Sequence, residues 1–260
     1  LFFLTDTFAA PPSYRVQFLG AGTPTAINNN NVVVGRILNG SVYSPLVSES
    51  GGSWSALPIP TGSDNCFPTD INDDGVIVGV SFSPPFNPVG VRWRKIKGVY
   101  VVEVLPRLPG QSTSYPTAIN NLGQIVGART TLGYVPTGTG WLYSEPTGVV
   151  DLTTFGFWVY PIALNDNGII IGGQERLNFA TGEVDVTGAG PANYNPVGGI
   201  AINNAGMMAG TAALRSTSLN IVSLFRYEGA SGWRYLTGTT RYTAASSINN
   251  LGDIGYGELG

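Results

Sequence analysis

A ten-residue pattern that occurs six times constrains this chain more than any other feature of its sequence. Each copy carries an aliphatic residue, then Asn, then Asn or Asp. Five copies have Gly four positions after the aliphatic residue, and the first copy has Asn31 there. The aliphatic anchors stand 44, 48, 45, 38 and 46 residues apart, at Ile27, Ile71, Ile119, Leu164, Ile202 and Ile248. A period near 44 residues is typical of the four-stranded blade of a β-propeller.

The pattern has the chemistry of a tight turn between two strands. Asn and Asp side chains bond to nearby backbone groups, and Gly supplies a position with positive φ. Asn is the best replacement for Gly at such a position, so Asn31 is a conservative exception. The stretch after the turn, such as Val76–Val78, is β-branched and apolar on both faces, which predicts a strand covered on both sides.

These observations predict an all-β fold, a single domain over residues 1–260 that forms a six-bladed β-propeller with four-stranded blades. The sixth copy ends after two strands, and Leu1–Leu4 and Tyr14–Leu19 resemble the missing two. We therefore expect a closing blade shared by N- and C-terminal strands, which limits exposed strand edges. The spacer over 174–199 is the shortest and predicts a degenerate blade. An open β-solenoid is the structural alternative.

Composition excludes several classes of function. The chain contains no His, a single Cys (Cys66) and two Lys among 260 residues, with a formal net charge of −3. Catalysis by a His base is excluded, and the usual zinc, copper and haem sites are nearly so. The lack of a basic stripe argues against nucleic acid as a partner. No apolar run approaches the length of a membrane span, and the composition is typical of a secreted bacterial protein.

The six repeated Asn residues are the first candidate ligand-binding set. They are predicted to line a central channel or, as the better interpretation, to hold the turns together, and they are Asn28, Asn72, Asn120, Asn165, Asn203 and Asn249. Two acidic turns, Asp70–Asp74 and Asn165–Asn167, offer oxygen ligands suited to Ca²⁺. Their spacing does not match the EF-hand pattern, so solvated turns are the preferred interpretation. We expect no other cofactor and no metal site.

Aromatic side chains form the second candidate set, because they can stack on sugar rings. Four Trp residues occupy repeated strand positions and are expected to pack between blades: Trp54, Trp93, Trp141 and Trp233. Trp158 and Tyr160 break the pattern just before the fourth repeat. They are therefore the predicted ligand contacts.

No catalytic set stands out. A glycosidase needs two facing carboxyl groups, but the acidic residues show no motif, and nothing singles out an Arg and Tyr pair for a lyase. The Cys66 thiol has no His partner and is interpreted as a small buried apolar residue. The basic segment 92–97 is interpreted as a strand with one solvated face. We therefore predict no catalytic residues.

The repeated residues resemble the HAF-repeat family of bacterial extracellular proteins. That family's repeat looks like Ala-Ile-Asn-Asn-x-Gly-x-[Val/Ile]-Val-Gly, then an aromatic strand with His-Ala-Phe, then a Leu-Gly turn. The first part matches six times, and Phe18–Gly20 resembles the Leu-Gly turn, but the His-Ala-Phe piece is absent because the chain has no His. The resemblance implies a propeller-like architecture and an exported role at the cell surface or in a matrix.

Three functions follow in order of preference. The first is a non-catalytic extracellular interaction or structural protein, with adhesion-like character, that binds a protein or glycan partner or self-associates. The second is a lectin-like, carbohydrate-binding propeller with aromatic residues and Asn at one rim. The third is a polysaccharide-active enzyme that uses carboxylates, Arg or Tyr.

Overall fold

In a computed structural model, the chain is described over residues 18–83, 87–129, 138–188, 190, 192–195, 197–215, 222–236 and 243–258. These ranges contain β-strands, connecting turns and two 3₁₀ helices, Leu152–Phe155 and Gly229–Ser231, and no α-helix. Within them, no helix has the length and apolar character needed to cross a membrane.

The strands form antiparallel sheets, one for each repeat. The first is built from β1 (Thr23–Ile27), β2 (Val33–Asn39), β3 (Val42–Ser48) and β4 (Ser55–Ala56). The second comprises β5 (Asn65–Ile71), β6 (Ile77–Ser83), β7 (Asn87–Ile96) and β8 (Val99–Val104). The third comprises β9 (Tyr115–Ile119), β10 (Ile125–Ala128), β11 (Gly140–Ser144) and β12 (Gly148–Asp151).

The remaining repeats continue the same plan. The fourth sheet contains β13 (Ala163–Leu164), β14 (Ile169–Gly172), β15 (Glu175–Asn178) and β16 (Glu183–Val186). The fifth contains β17 (Gly198–Ile202), β18 (Met208–Ala213), β19 (Val222–Tyr227) and β20 (Trp233–Tyr235). The sixth has two described strands, β21 (Thr243–Ile248) and β22 (Ile254–Glu258).

The predicted all-β fold with four-stranded antiparallel sheets is confirmed, and the arrangement is propeller-like. The expected degenerate blade in the fourth repeat is wrong, because β13 to β16 form a complete sheet. Its strands are only two to four residues long, so a short spacer is enough to build them. The strand predicted at Leu1–Leu4 and residues 14–17 of the strand predicted at Tyr14–Leu19 lie outside the described residues, and so does the shared closing blade. Phe18 and Leu19 are described and are not in a strand.

The hydrophobic core lies between neighbouring sheets. Val34 and Val47 of the first sheet pack with Ile77 and Trp93 of the second. Equivalent clusters join the second sheet to the third, the third to the fourth, the fourth to the fifth and the fifth to the sixth. In the second to fifth repeats, the strand after the Asn turn is buried on both faces, as its apolar sequence predicts; Ile77 and Val78 are both completely buried.

The second Gly of the repeat is required by close packing. A Cβ atom on Gly127 would lie 2.2 Å from Cζ2 of Trp141, and one on Gly79 would lie 2.9 Å from the Trp93 ring. Gly35 and Gly210 are covered in the same way, by Trp54 and Trp233. Three of these four Trp side chains are buried and Trp54 is half-buried, which agrees with the predicted packing role.

Replacing Gly127 by Ala should destabilise the protein by about 1–3 kcal/mol or more, because its Cβ would lie 2.2 Å from the Trp141 ring and 2.5 Å from the Tyr115 carbonyl oxygen, so both must shift. Urea unfolding measures the loss. Gly198→Ala is the matched control, since the nearest atom to its new Cβ is 3.8 Å away. Equal stability losses in both variants would contradict the packing role.

Candidate functional site

Each repeated Asn closes its own turn. Asn165 Oδ1 accepts hydrogen bonds from the backbone N–H of Asn167 (3.1 Å) and of Ile169 (2.9 Å). The backbone adds two more bonds, one between Asn165 and Ile169 and one from Gly168 N–H to the Asn165 carbonyl. The same pair of backbone bonds recurs in all six turns. Gly168 has φ +72° and Asn31 has φ +58°, so the turn chemistry predicted from the sequence is confirmed.

The other end of each Asn side chain reaches the next repeat. Asn28 Nδ2 donates to the carbonyl oxygen of Asn72 at 2.9 Å, and Asn72 Nδ2 donates to that of Asn120 at 3.1 Å. The chain of bonds continues through three further steps, Asn120 to Asn165 (3.0 Å), Asn165 to Asn203 (2.9 Å) and Asn203 to Asn249 (2.9 Å). All the donors in this chain are buried.

The residue after each repeated Asn makes a second, more exposed row of contacts. The Asp73 N–H donates to Asn121 Oδ1, and the Asn121 N–H donates to Asp166 Oδ1, both at 2.8 Å. The Asn121 side-chain amide also reaches both neighbouring carboxylates, at 3.0 Å and 3.1 Å. We call this row the mouth ring; its members are Asn29, Asp73, Asn121, Asp166, Asn204 and Asn250.

All six repeats line one cavity. It has a volume of about 230 Å³, and its wall consists of the six aliphatic anchors, the six repeated Asn residues and the mouth ring. Because five of the six repeated Asn side chains are buried and donate to the backbone of the next repeat, the mouth ring supplies most of the polar atoms that face solvent. Its amides and two carboxylates offer both donors and acceptors.

The charge of the mouth ring is stabilised by its own hydrogen bonds. Burial acts to raise the pKa of Asp73, but the backbone N–H and amide of Asn29 and the amide of Asn121 outweigh burial and lower it. Asp73 therefore carries a negative charge at neutral pH. The ring presents hydrogen-bonding groups with a small negative charge.

The two predicted ligand-contact sets lie apart. The Asn residues face the central cavity, as one of their two predicted roles required. Trp158 and Tyr160 are exposed, at 65% and 39%, but they lie towards the other end of the fourth sheet, where the Tyr160 carbonyl meets Gly172 at the far end of β14. Trp158 and Tyr160 therefore do not share a rim with the repeated Asn residues, because they lie at the end of the fourth sheet away from the Asn turn.

The two acidic turns, weighed as Ca²⁺ ligands and interpreted as solvated turns, make internal contacts in the structure. In the part of the chain that the structure describes, no three side chains of His, Cys, Asp or Glu come together as a metal site. Asp70 bonds to two backbone N–H groups, and Asp73 bonds to Asn29 and Asn121. These carboxylates serve the contact between repeats.

Two other sequence predictions can be placed. Cys66 is completely buried, and burial raises the pKa of its thiol to about 12, which agrees with its interpretation as a small apolar residue. The basic segment lies on β7 with Trp93 buried and Lys95 and Lys97 exposed. Its Arg92 bonds to Glu145 of the third sheet at 2.9 Å, which is a contact between sheets.

A β-bulge before the Asn turn was not predicted from the sequence. The register of the innermost strand slips by one residue at Thr25, Thr69 and Thr117, and each hydroxyl bonds to a carbonyl of the next strand at 3.3 to 3.4 Å. The repeated Pro-Thr pair ahead of the anchor is the sequence signal for it. The bulge increases the local twist where the strands approach the centre.

The contact that Asp70 makes between sheets was also not predicted from the sequence. The equivalent residue in four other repeats is Ala. Its carboxylate accepts hydrogen bonds from the N–H groups of Ile71 and Ile119, both at 2.9 Å, and so links the second and third sheets. Loss of solvent around the group raises its pKa from an ordinary 3.8 to about 6, against the lowering effect of both hydrogen bonds.

This raised pKa predicts a pH-dependent stability. The folded protein holds the Asp70 proton more tightly than the unfolded chain does. The protonated carboxyl therefore contributes its full stabilisation below pH 3.8, and this contribution is lost as the pH rises through about 6. Relative to Asp70→Asn, the wild type should lose up to about 3 kcal/mol of unfolding free energy between pH 4 and pH 7. Urea unfolding at the two pH values tests this. The exposed Asp74→Asn variant is the control, and a pH-independent difference between wild type and D70N would contradict the assignment.

The two ends of the repeated Asn can be separated by mutation. Asn165→Asp keeps the oxygen that closes the turn but places an oxygen against the Asn203 carbonyl, so it should destabilise by roughly 2–4 kcal/mol at pH 7. At pH 3 the protonated carboxyl can donate, and part of the loss should return. Asn165→Ala should lose stability at both pH values. Thermal unfolding of both variants gives the answer, and identical pH profiles would refute the donor role.

Comparison with known proteins supports the fold alone. No protein-family model matches the chain, and no curated protein matches it. It is similar to the solved structure of virginiamycin B lyase from Staphylococcus aureus, with 17% identity, 92% of this chain and 78% of that chain covered, and a TM-score of 0.55. A streptogramin B lyase structure has 13% identity, with 93% of this chain and 92% of that chain covered, and a TM-score of 0.47.

Proposed function

We propose that the protein is a non-catalytic, extracellular binding protein whose central cavity holds one uncharged polar group, such as a single sugar residue of a glycan. This proposal rests on the mouth ring. Its six Asn and Asp side chains face one cavity and alternate amide donors with amide and carboxylate acceptors. Sugar hydroxyls need that mixture, because each hydroxyl both donates and accepts.

The size of the cavity limits the ligand. At about 230 Å³ it is smaller than the roughly 300–1,000 Å³ of pockets that enclose drug-sized molecules. One small ring or chain end fits, and a longer glycan would extend outward over the face. The cavity wall contains no Arg, Lys, Tyr or Cys, and its buried Asn groups are already bonded between repeats. The two carboxylates of the wall, Asp73 and Asp166, both accept hydrogen bonds from the Asn121 amide, which supports binding without bond cleavage.

A glycan array with the full chain is the direct test, run with and without Ca²⁺. We expect a neutral glycan to bind and Asn121→Ala to weaken binding at least tenfold, since Asn121 lies between two carboxylates of the ring. Asn39→Ala, at the exposed end of β2, is the matched control.

Three outcomes would overturn the proposal. Loss of binding in the absence of Ca²⁺ would show that the glycan binds at a metal-dependent site. Shortened glycan products, analysed by mass spectrometry, would show a polysaccharide-active enzyme. The absence of any glycan binding, together with concentration-dependent association in sedimentation, would favour a structural protein that self-associates.

We propose further that six blades close into one ring. Two observations support closure: residues of the first and sixth repeats line the same cavity, and Ile27 is 62% exposed where its counterparts Ile71 and Ile119 are 5% and 6% exposed. The first sheet therefore presents an apolar face of the kind that the other sheets cover. N-terminal residues 1–17, which contain Leu1–Leu4, are the proposed cover. This closed ring would also agree with the HAF-repeat resemblance.

Deletion of residues 1–17 tests closure. The truncated chain should unfold at lower urea concentration and bind a hydrophobic dye, because the face around Ile27 loses its cover. An Ile27→Ser variant of the full chain is the companion measurement. We predict that it loses about 2 kcal/mol of stability, because the proposed closed ring buries this aliphatic side chain. Unchanged stability in both would favour an open arrangement.

A further inference from the structure

Arg36 differs from the other half-buried arginines of the described ranges. Five of the others have a carboxylate within 3.5 Å, namely Arg92, Arg94, Arg129, Arg176 and Arg226. Arg36 is half-buried, and its guanidinium N–H groups have no hydrogen-bond acceptor among the residues that the structure describes. A half-buried cation without a counter-charge is costly, so its presence calls for a reason.

The guanidinium is held in place by aromatic rings. Its central carbon lies 4.5 Å from the ring centre of Tyr43 and 4.6 Å from that of Phe67. The two rings are nearly perpendicular, at 77°, with their centres 5.6 Å apart. Cation–π contacts of this kind fix the position of the charge but leave the N–H donors in the guanidinium plane unused.

The position of Arg36 in the repeat is also singular. The residue after the second Gly is Val80, Ala128, Gly173 and Thr211 in the next four repeats. Val80 and Ala128 are completely buried there. A charge replaces an apolar or small residue in the first repeat alone, between the first two sheets.

Strand register places Arg36 away from the central cavity. Val33 pairs with Ile27 beside the Asn turn, whereas Arg36 pairs with Thr23 at the far end of β1. The distance along the strand is about 10 Å. Tyr115, the first residue of β9, belongs to the same end and packs with Phe67. Burial raises the pKa of the Tyr115 hydroxyl and the charge of Arg36 opposes that rise, so the hydroxyl stays a neutral donor within range of Arg36.

We propose that Arg36, with Tyr43 and Tyr115 beside it, binds the carboxylate of an anionic sugar at the end of the ring opposite the mouth ring. A carboxylate matches the planar fork of a guanidinium through two parallel hydrogen bonds. Tyr43 is half-buried and gives the aromatic surface on which a sugar ring packs. The inference does not rest on the central cavity, since no residue is shared between the two sites.

Calorimetric titration of the full chain with an oligogalacturonide tests the assignment. The free-acid form should bind, and its methyl ester, which has the same rings without the charges, should bind at least tenfold more weakly. Arg36→Met, which keeps an apolar stem between the rings, should reduce binding of the acid at least tenfold. Arg234→Met is the matched control, because Arg234 is exposed on β20. Sulfate should compete weakly, and competition equal to that of the uronate would overturn the carboxylate assignment.

A second measurement uses the wild-type protein, so it holds even if Arg36→Met fails to fold. Phenylglyoxal modifies accessible arginines, and peptide mass spectrometry locates the product. We expect the oligogalacturonide to protect Arg36 and its methyl ester to leave it reactive, with Arg234 reactive in both cases. Equal modification of Arg36 with and without the acid, or equal binding of acid and ester, would refute the site. The Asn121→Ala variant should retain this binding. A failure of the Arg36 site can therefore be distinguished from a failure of the function proposed for the central cavity.

Discussion

The structure depends on a single side chain that bonds in two directions. The oxygen of each repeated Asn fixes its own turn, and in five repeats its nitrogen is shown bonding to the backbone of the next repeat. No other residue has an acceptor and a donor on one short planar group with this reach: Asp lacks the donor, and Gln places the amide one carbon further away. The turn and the contact between sheets are therefore one chemical requirement, and packing of the sheets follows from it.

Much of the fold was predictable because that requirement is local and repeated. The turn, its positive-φ position and the doubly buried strand after it are visible in residues such as Asn165, Gly168 and Ile170. The second Gly was visible as a repeat position. The reason that Gly is required there was not visible, because the Trp141 ring that covers Gly127 comes from another strand. The fourth sheet was underestimated because short strands paired through backbone atoms need no aromatic residue.

The candidate sites were predictable only in part. The six Asn residues could be placed at the centre by the repeat alone, and the next residue in each turn completes the mouth ring. Arg36 stands out in the repeat as the charged residue after the second Gly. Its lack of an acceptor among the described residues could not be predicted, because that appears only when sheets are packed together. Asp70 likewise stands out in an alignment of the repeats. Its hydrogen bond from the Ile119 N–H could not be predicted, because Ile119 belongs to the next repeat.

The direction of the Asn bonds has a consequence for how the molecule unfolds. Every bond in the chain runs from one repeat to its successor, so each of the four interior repeats donates on one side and accepts on the other. Removing an interior repeat leaves an orphan donor before the gap and an orphan acceptor after it. Linear repeat arrays can fray from their ends, whereas the closed ring proposed above would have no end from which to fray. In such a ring the number of repeats would be an all-or-none property, held by cooperativity and not by the strength of any single blade.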